Sequence, residues 1–591
     1  MKSPLSVYQD NIQQFQAALS KIKKRLFASS MLRLAAFFVF AFLVYHFSAT
    51  TSLVLLFVFL GIATFLFLVA RHTDLQQEKE KLKQLIELNE TEIKVLHRDF
   101  YHLPNGEEFV DPLHEFSQDI DLFGKRSFFQ YLNRTALASG KQKLADLLSS
   151  NNIDAIEKKQ KSIQELAQKV HFRQEFTAIA KMAKAKIKAS IILDWFNNYK
   201  TFVPAIFKWL PPIFSVVSLL LFIALSLDYI PWFYVGGWFI LGWLIIGRHA
   251  KKVNELSGYV SEIQSTFQQY HLLLGLIENT SFEAELNKEQ QTNIEIKDKK
   301  ASVLLKEFSK IIDGLERKNF MIFGQLLSGF MLWDLWKAYQ LEQWMLKYAD
   351  KTKNWFDAID YFDAYNSLGG FSFNHQDYIF PTINNNQVVI KTTEAVHPLI
   401  NPKDAVTNNY QINQQEFFII TGANMAGKST FLRTVSLQIV MGNVGLPLCA
   451  KTCEYSPIKL ITSMRTVDSL ADEASYFFSE LSRLKFIVEE IKTDKYFIIL
   501  DEILKGTNST DKAIGSRKFV EKLVGSRSTG IIATHDLSLC EVANELPQVK
   551  NHYFDAEIIN DELHFDYQFK DGICQNMNAS FLLRKMNIVD S

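Results

Sequence analysis

The chain contains 591 residues, of which 48% are apolar and 22% are charged. This composition excludes an intrinsically disordered or a fibrous protein, and the length suggests about three or four folded domains. The 64 basic residues balance the 64 acidic ones, so the formal net charge is zero. Because a dedicated nucleic-acid-binding protein often has a basic excess, the neutral total argues against that class, although it is compatible with a local basic patch.

Two apolar runs near the N-terminus, 32–47 and 53–70, approach the length of about 20 residues that crosses a bilayer. The link between them is short and polar. Basic residues from Lys21 to Arg33 precede the pair and Arg71 follows it, whereas the link has no positive charge. This charge distribution predicts a transmembrane hairpin with both ends in the cytoplasm. The first run lacks a small-residue cleavage site, so it does not read as a cleaved signal peptide.

A second pair of apolar runs, 210–227 and 230–247, follows the same pattern. Asp228 lies in the turn, Lys208 precedes the pair, and Arg248 follows it. Four aromatic residues suit an interfacial belt: Trp209, Trp232, Tyr234 and Trp238. The alternative interpretation is that all four runs are buried core helices of a soluble protein, but four runs with matching charged flanks favour two membrane hairpins.

The segments between and after the hairpins have helical spacing of apolar residues. Residues 73–100 read as an amphipathic helix that leaves the membrane, and 119–148 as a turn followed by two helices. Further helix is predicted over 153–200, and 250–350 is helical almost throughout. These long helices either carry motion as a lever or form a plain helical bundle, and the sequence does not separate the two.

From about residue 372 short apolar runs alternate with helical stretches, as in an α/β domain. A strand over 416–421 leads into GANMAGKS, which matches G-x-x-x-x-G-K-[ST], and a helix follows. In such a P-loop the main-chain N–H groups surround the phosphates of a nucleotide and the helix N-terminus adds its positive dipole. The predicted nucleotide-binding residues are Gly422, Asn424, Gly427, Lys428, Ser429 and Thr430. Lys428 is expected to bind the β- and γ-phosphates of ATP, and Ser429 to hold Mg²⁺.

Two further buried strands end in polar residues. The strand over 496–502 ends in Asp501, predicted to bind Mg²⁺ through its water shell, and Glu502, predicted to orient or deprotonate the attacking water. The strand over 529–536 ends in Thr534 and His535. His535 is expected to sense the γ-phosphate, with a purely structural histidine as the alternative. The predicted catalytic residues are therefore Glu502, Lys428 and His535.

The four cysteines are Cys449, Cys453, Cys540 and Cys574. No neighbouring histidine or cysteine cluster completes a metal-binding set, so they are expected to be small buried or partly buried thiols. A reducing, cytosolic environment fits this part of the chain.

Several segments resemble the MutS family, the DNA mismatch-repair ATPases and their relatives. TGANMAGKSTFLRT and LDEILKGTNSTD are similar to the family's Walker A and Walker B segments, the latter with Gly506, Thr507 and Asp511 in place, and AVHPLI is similar to the segment leading into its ATPase domain. ADEASYFFSEL resembles the signature helix, which implies that Ser475 contacts the nucleotide of a partner subunit. DGICQNMNASFLLRKMNI resembles the C-terminal segment that supports dimerisation.

The resemblance extends upstream to the start and the end of the family's core helical domain, and it covers about 100–200 and 250–591. It departs from the family pattern in several ways. No mismatch-reading domain precedes the core, the second hairpin stands where the family inserts its DNA clamp, and no nuclease domain follows. Ala474 replaces a usual glycine, and Leu504 and Lys505 lie in the Walker B turn. ATP turnover therefore follows from the resemblance, whereas mismatch recognition does not.

The expected fold is an α/β P-loop NTPase domain of the ABC/MutS type, C-terminal to an all-α core or lever domain, with two transmembrane helical hairpins. The expected partners are a second copy in a homodimer with composite ATP sites, DNA, and the lipid bilayer. The expected location is the cell inner membrane, multi-pass, with the ATPase domain in the cytoplasm. The predicted segments are the first hairpin (1–75), the first helical part (76–205), the second hairpin (206–249), the second helical part (250–371) and the ATPase domain (372–591).

The leading functional hypothesis is a membrane-anchored ATPase that acts on DNA. One alternative is an ATP-driven transport or remodelling machine without DNA, although no ionisable residue in the spans marks a pathway and no Gly-rich ABC signature precedes Walker B. Another is a nucleotide-controlled scaffold. The basic stretch 181–188 (KMAKAKIK) is a candidate DNA contact, with a solvated helix face as the alternative.

Overall fold

The computed structural model describes residues 2–182, 189–296, 299–316, 323–423, 425–465, 476–504, 509–526, 528–559 and 562–575. Within these ranges an N-terminal helical hairpin leads into a large all-α region, and a mixed α/β domain follows. The predicted combination of an all-α region and a C-terminal α/β domain is therefore confirmed.

The chain begins with two very long helices, α1 (Pro4–His46) and α2 (Thr51–Leu96), which pack against each other. Ser3 caps α1, because its side chain accepts from the main-chain N–H of Ser6. The apolar window of α1 has a mean hydropathy of 2.0 and is 0% buried, and that of α2 has a mean hydropathy of 3.0 and is 6% buried. Both helices are long and apolar enough to cross a membrane by length and composition. The amphipathic helix predicted over 73–100 is the continuation of α2, because no glycine or proline interrupts the chain between the apolar and polar halves.

The all-α region contains twelve further helices in the described residues. They are α3 (Phe128–Leu132), α4 (Ala138–Ser149), α5 (Ile156–Gln168), α6 (Val170–Lys181), α7 (Ala189–Asn198), α8 (Leu210–Ser226), α9 (Trp232–Gly247), α10 (Ala250–Asn279), α11 (Glu285–Asn293), α12 (Ala301–Glu316), α13 (Phe323–Met331) and α14 (Trp333–Asn374). The helix predicted over 153–200 is thus divided into α5, α6 and α7. The second apolar pair forms α8 and α9, which are 17 and 16 residues long.

Helix α14 is the centre of the all-α region. It packs against α4, α5, α10 and α12, and most of its C-terminal half is buried. Leu332 separates α14 from α13 in a left-handed conformation with φ of 51°. Since α14 is 42 residues long, it connects the surroundings of α8 and α9 with the start of the α/β domain.

The strands of the α/β domain are β1 (Thr382–Ile383), β2 (Val388–Ala395), β3 (Asn408–Asn413), β4 (Phe417–Gly422), β5 (Thr452–Tyr455), β6 (Lys459–Ser463), β7 (Tyr496–Asp501), β8 (Thr529–Ala533), β9 (Val549–Phe554), β10 (Ala556–Ile559), β11 (Glu562–Phe565) and β12 (Lys570–Asp571). Its helices are α15 (Lys428–Val444), α16 (Tyr476–Glu490), α17 (Ser509–Gly525) and α18 (Val542–Glu545). The main sheet has the order β12-β9-β4-β8-β7-β6, and a second sheet has the order β1-β5-β2-β3.

The main sheet is parallel from β9 to β6 and is covered on both faces. Alternate residues of its strands belong to two cores: Phe418 and Ile420 face α15 and the all-α region, whereas Phe417 and Ile419 face α16 and α17. Burial on both faces explains the uninterrupted apolar runs of β4, β7 and β8. Because one core is continuous from Val95 to Phe554, the all-α region and the α/β domain pack as one body.

Candidate nucleotide-binding site

The loop between β4 and α15 carries the predicted P-loop sequence. Gly422 ends β4 with φ of 149° and Gly427 precedes α15 with φ of 109°, conformations that favour glycine. A Cβ atom at Gly422 would overlap the main-chain oxygen of Phe554 on the neighbouring strand β9. The close approach of β4 and β9 therefore requires glycine where the loop begins.

Lys428 is the first residue of α15, and its side chain is folded back onto the loop. Its Nζ donates to the main-chain oxygens of Gly422 at 2.7 Å and Ala423 at 3.0 Å. Burial lowers the pKa of Lys428, against the opposing effect of Asp501 and Glu502. An ammonium group that donates to two carbonyl oxygens is suited to exchange those carbonyls for the more negative oxygens of a phosphate.

The carboxyl ends of β4, β8 and β7 bring the remaining site residues together. Ser429 donates its hydroxyl hydrogen to Asp501 Oδ2 at 2.9 Å. Within the described residues no group of three or more His, Cys, Asp or Glu side chains could hold a metal ion. The Ser429 hydroxyl and the Asp501 carboxylate are oxygen donors of the kind Mg²⁺ prefers, and two protein oxygens fit an ion that takes its other ligands from phosphate and water.

His535 lies between Lys428 and Glu502 because β8 lies between β4 and β7 in the sheet. Its Nε2 is 3.0 Å from Glu502 Oε1 and 3.3 Å from Lys428 Nζ. The carboxylate accepts from His535 when the hydrogen is on Nε2. Glu502 has a positive φ of 53°, and its main-chain N–H donates to Ala533 O at 2.9 Å, which directs its side chain to the sheet edge.

The structure thus assembles most of the predicted site: Gly422, Gly427, Lys428, Ser429, Asp501, Glu502 and His535. Thr430 is exposed and lines a neighbouring cavity instead of facing Asp501. Thr534 is buried, and its hydroxyl accepts from the main-chain N–H of Asp536 at 3.0 Å, a turn contact. Asn424, Ser475, Gly506 and Thr507 lie outside the described residues.

A cavity of about 390 Å³ adjoins the P-loop at Gly427 and Thr430. Its walls include four aromatic residues that sequence reasoning missed: Tyr410, Phe431, Phe554 and Tyr567. These residues come from β3, α15, β9 and the chain after β11, so no local sequence pattern brings them together. An aromatic cavity beside a phosphate-binding loop has the position and chemistry to hold a nucleobase.

His397, between β2 and β3, also lines this cavity. Burial, reinforced by the nearby Arg433 guanidinium, lowers the pKa of His397 to about 4. Its Nδ1 accepts from the main-chain N–H of Leu399 at 3.3 Å. The imidazole is therefore neutral at pH 7 and offers the cavity an uncharged ring.

The four cysteines are free thiols. Cys453, Cys540 and Cys574 are buried free thiols and Cys449 is half-buried, which confirms the expectation of structural thiols. Burial raises the pKa of Cys453 to about 12 and that of Cys540 to about 11, so neither is a reactive thiolate at neutral pH.

Comparison with known proteins places the similarity in this domain. Residues 418–585 match the family MutS domain V. The DNA mismatch repair protein MutS of Aquifex pyrophilus is 29% identical over 240 residues, which are 39% of this chain and 28% of the relative. MutS of Clostridium botulinum (strain Alaska E43 / Type E3) is 33% identical over 206 residues, or 33% of this chain and 22% of the relative. The DNA mismatch repair protein MSH4 of Arabidopsis thaliana is 28% identical over 197 residues, or 32% of this chain and 24% of the relative. The matched region thus spans about a quarter of the length of each relative.

Proposed function

This chain belongs to the MutS family through its C-terminal domain, and on that premise we propose that it is a membrane-anchored ATPase that works as a dimer and acts on DNA. The observation that carries the proposal is the cluster at the carboxyl ends of β4, β8 and β7. There Lys428, His535 and Glu502 form one chain of contacts, and Ser429 and Asp501, their neighbours in the sequence, form a hydrogen bond beside it.

Each member of the cluster has a distinct role in the proposed reaction. The main-chain N–H groups of the loop and the start of α15 bind the phosphates, and Lys428 moves from its two carbonyls to the β- and γ-phosphate oxygens. Ser429 and Asp501 hold Mg²⁺, which when bound neutralises charge that develops on those oxygens. Glu502 accepts a proton from the attacking water, and His535 orients its carboxylate. The aromatic cavity holds the base.

Exposed apolar side chains support the proposed dimer. Met425 of the P-loop is 78% exposed, and Phe478 at the start of α16 is 63% exposed. Large apolar side chains beside a nucleotide site are suited to burial against a second subunit. In the proposed dimer, Ser475 of each chain completes the site of the other, so that ATP favours the closed assembly and hydrolysis releases it.

The apolar surface of α1 and α2 supports the proposed membrane anchor. The apolar windows of these helices are almost unburied, whereas the core helices of a soluble protein are covered. Exposed apolar side chains also cover α8 and α9, including Leu219, Leu244 and Trp232. In the proposed arrangement both hairpins lie in the inner membrane and the α/β domain in the cytoplasm.

An ATP-driven membrane remodelling or transport activity without DNA is the second candidate. This candidate is favoured by the short extent of the similarity. The matched region covers only about a quarter of each relative named for DNA mismatch repair. The candidate DNA contact over 181–188 lies mostly outside the described residues, and Lys181 itself is 3.9 Å from Glu87 in an ion pair. A nucleotide-controlled scaffold would change its assembly state with ATP but would neither act on DNA nor transport or remodel anything at the membrane.

The test is ATP binding and turnover by the full chain in detergent, with Lys428→Ala, Glu502→Gln and the exposed-lysine control Lys391→Ala. We expect Lys428→Ala to lose binding of labelled ATP, Glu502→Gln to bind ATP but turn it over at least about 100-fold more slowly, and Lys391→Ala to match the wild type. Normal turnover in either site variant contradicts the proposed roles. Addition of duplex, branched and mismatched DNA over a range of salt concentrations then separates the candidates, because a DNA-acting ATPase is stimulated with a steep salt dependence.

A further inference from the structure

Helix α13 differs from the other helices of the segment between residues 250 and 371. Its sequence, FGQLLSGFM, has no charged residue, although it lies within the segment 250–371 that was predicted to be a helical lever or a helical bundle. Instead of joining the bundle formed by α10, α12 and α14, it packs chiefly against α8 and α9. The second apolar hairpin is therefore accompanied by a third apolar helix.

The contacts between α13 and the hairpin are of the kind found between helices in lipid. Cβ atoms added at Gly242 of α9 or Gly329 of α13 would overlap, respectively, the main-chain oxygen of Gly329 and the ring of Phe239. Small residues that let two helix backbones approach so closely are typical of membrane helix pairs, where packing replaces the hydrophobic effect.

Polar groups in this contact satisfy one another across the helices. Ser218 of α8 donates to the main-chain oxygen of Phe330 at 2.6 Å, and Trp238 Nε1 donates to Ser218 Oγ at 2.9 Å. The phenyl ring of Phe330 lies 4.9 Å from the rings of both Phe222 and Phe239. Interhelical hydrogen bonds of this kind leave no hydroxyl or indole N–H exposed to hydrocarbon.

The helices that precede and follow α13 contact each other. Trp333, the first residue of α14, donates from Nε1 to the main-chain oxygen of Gly314 in the last turn of α12 at 2.7 Å. The Trp333 and Trp336 rings are 5.5 Å apart, and Lys337 Nζ lies 4.8 Å and 5.2 Å from their centroids. Tryptophan and lysine together at this position are typical of a membrane–water boundary.

The depth of the contact follows from the rise of an α-helix. Phe222 lies about 18 Å along α8 from Leu210, and Phe239 lies about 12 Å from the end of α9 at Gly247, so Phe330 reaches toward the middle of the hairpin. On the outer surface of α13, Leu326 is 45% exposed, beside the exposed apolar surface of the hairpin.

We propose that α13 is a re-entrant membrane helix: it lies in the bilayer against α8 and α9, between the last turn of α12 and Trp333, which lie together on the cytoplasmic side. The outer face of α13 contacts the acyl chains of the bilayer in this arrangement. This inference rests on the proposed membrane anchor. Because α14 begins where α13 ends and continues to the α/β domain, the bilayer contacts an element that leads directly to the ATPase body.

The test is lipid accessibility in the full chain reconstituted into phosphatidylcholine vesicles. An environment-sensitive NBD probe is attached to L326C, with L220C on α8 as the lipid-exposed control and L346C on α14, whose wild-type side chain is 68% exposed, as the aqueous control. The four native cysteines are replaced by alanine, and each variant must keep wild-type ATP turnover. We expect doxyl-labelled phosphatidylcholine to quench positions 326 and 220 at least about twofold, and aqueous iodide to quench only position 346.

Quenching of position 220 without position 326 overturns the re-entrant helix while leaving the anchor intact. If the lipid quencher reduces the fluorescence of neither position, both the proposed anchor and this inference are wrong. If the cysteine-free background does not fold, benzoylphenylalanine at position 326 of the otherwise native chain provides the second measurement. Illumination should then add the mass of a phospholipid, and a chain that is crosslinked only to itself refutes the proposal.

Discussion

Replacing Asp119 by alanine should release strand β6 from the segment that follows α2. Asp119 is 6% exposed, and its carboxylate accepts three hydrogen bonds from the α/β domain. Oδ2 accepts from Thr462 Oγ1 at 2.6 Å and from Met464 N at 3.0 Å, while Oδ1 accepts from Arg465 N at 2.9 Å. Arg465 immediately precedes the segment that carries Ser475.

The magnitude follows from the groups left without a partner. In Asp119→Ala two main-chain N–H groups lose a buried carboxylate acceptor, at about 1–3 kcal/mol each, so the free energy of local opening should fall by about 2–6 kcal/mol. Asp121 is a matched control two residues away: it pairs with Arg465 at 2.7 Å, but its side chain is 46% exposed. Surface ion pairs contribute about 0–1 kcal/mol, so Asp121→Ala should have little effect.

Hydrogen exchange followed by mass spectrometry measures this difference locally. At about 1.4 kcal/mol per tenfold change, peptides that cover 459–465 should exchange at least about 25-fold faster in Asp119→Ala and less than about fivefold faster in Asp121→Ala. Peptides from α14 should be unchanged in both variants. Equal exchange in the two variants would refute the assignment of Asp119 as the group that holds the end of β6.

Three other substitutions and conditions have expected outcomes. A Cβ at Gly530 would overlap a main-chain oxygen of β7, so Gly530→Ala should lower the free energy of unfolding by about 1–3 kcal/mol, measured by denaturant unfolding. A Cβ at Gly525 meets nothing within 4 Å, so Gly525→Ala should leave the free energy of unfolding unchanged. Glu342 is buried and accepts from two main-chain N–H groups just before α8 at 2.8 Å and 3.1 Å, so Glu342→Ala should speed tryptic cleavage at Lys200 at least about tenfold. The lowered pKa of His397 means that its contribution is complete above pH 6.5 and is lost as pH falls toward 4, so stability should drop by about 2 kcal/mol between pH 7 and pH 5. Thermal unfolding at both pH values should show a smaller drop in His397→Gln, and an equal drop would exclude this histidine.

The parts of the site that follow one another along the chain could be predicted from the sequence. Gly422 to Ser429 belong to one continuous sequence motif, and Asp501 and Glu502 follow one buried apolar run, so the local sequence pattern was sufficient to select them. That parallel strands end at one sheet edge explains why the two segments meet. The position of His535 between Lys428 and Glu502 depends instead on the order β4-β8-β7, which no local pattern encodes.

The features that the sequence did not reveal, the aromatic cavity and the position of α13, depend on contacts between distant segments. The aromatic cavity draws its walls from elements separated by more than a hundred residues, and single aromatic residues at strand ends are not distinctive. Helix α13 is too short to register as a membrane span, and its apolar sequence fits a bundle equally well. Only its packing on α8 and α9 distinguishes the two.

Helices α2 and α10 have a geometric consequence for the proposed anchored protein. The part of α2 beyond Arg71 is roughly 38 Å long and α10 is roughly 45 Å long, and α6 packs against both. Because α2 and α10 both join the rest of the protein to the proposed membrane hairpins, the protein cannot tilt freely about either helix. The nucleotide site would therefore stay within a narrow range of distances from the membrane surface. Confinement to such a layer raises the local concentration of the protein toward any target that also lies at the membrane, without a single additional contact to that target.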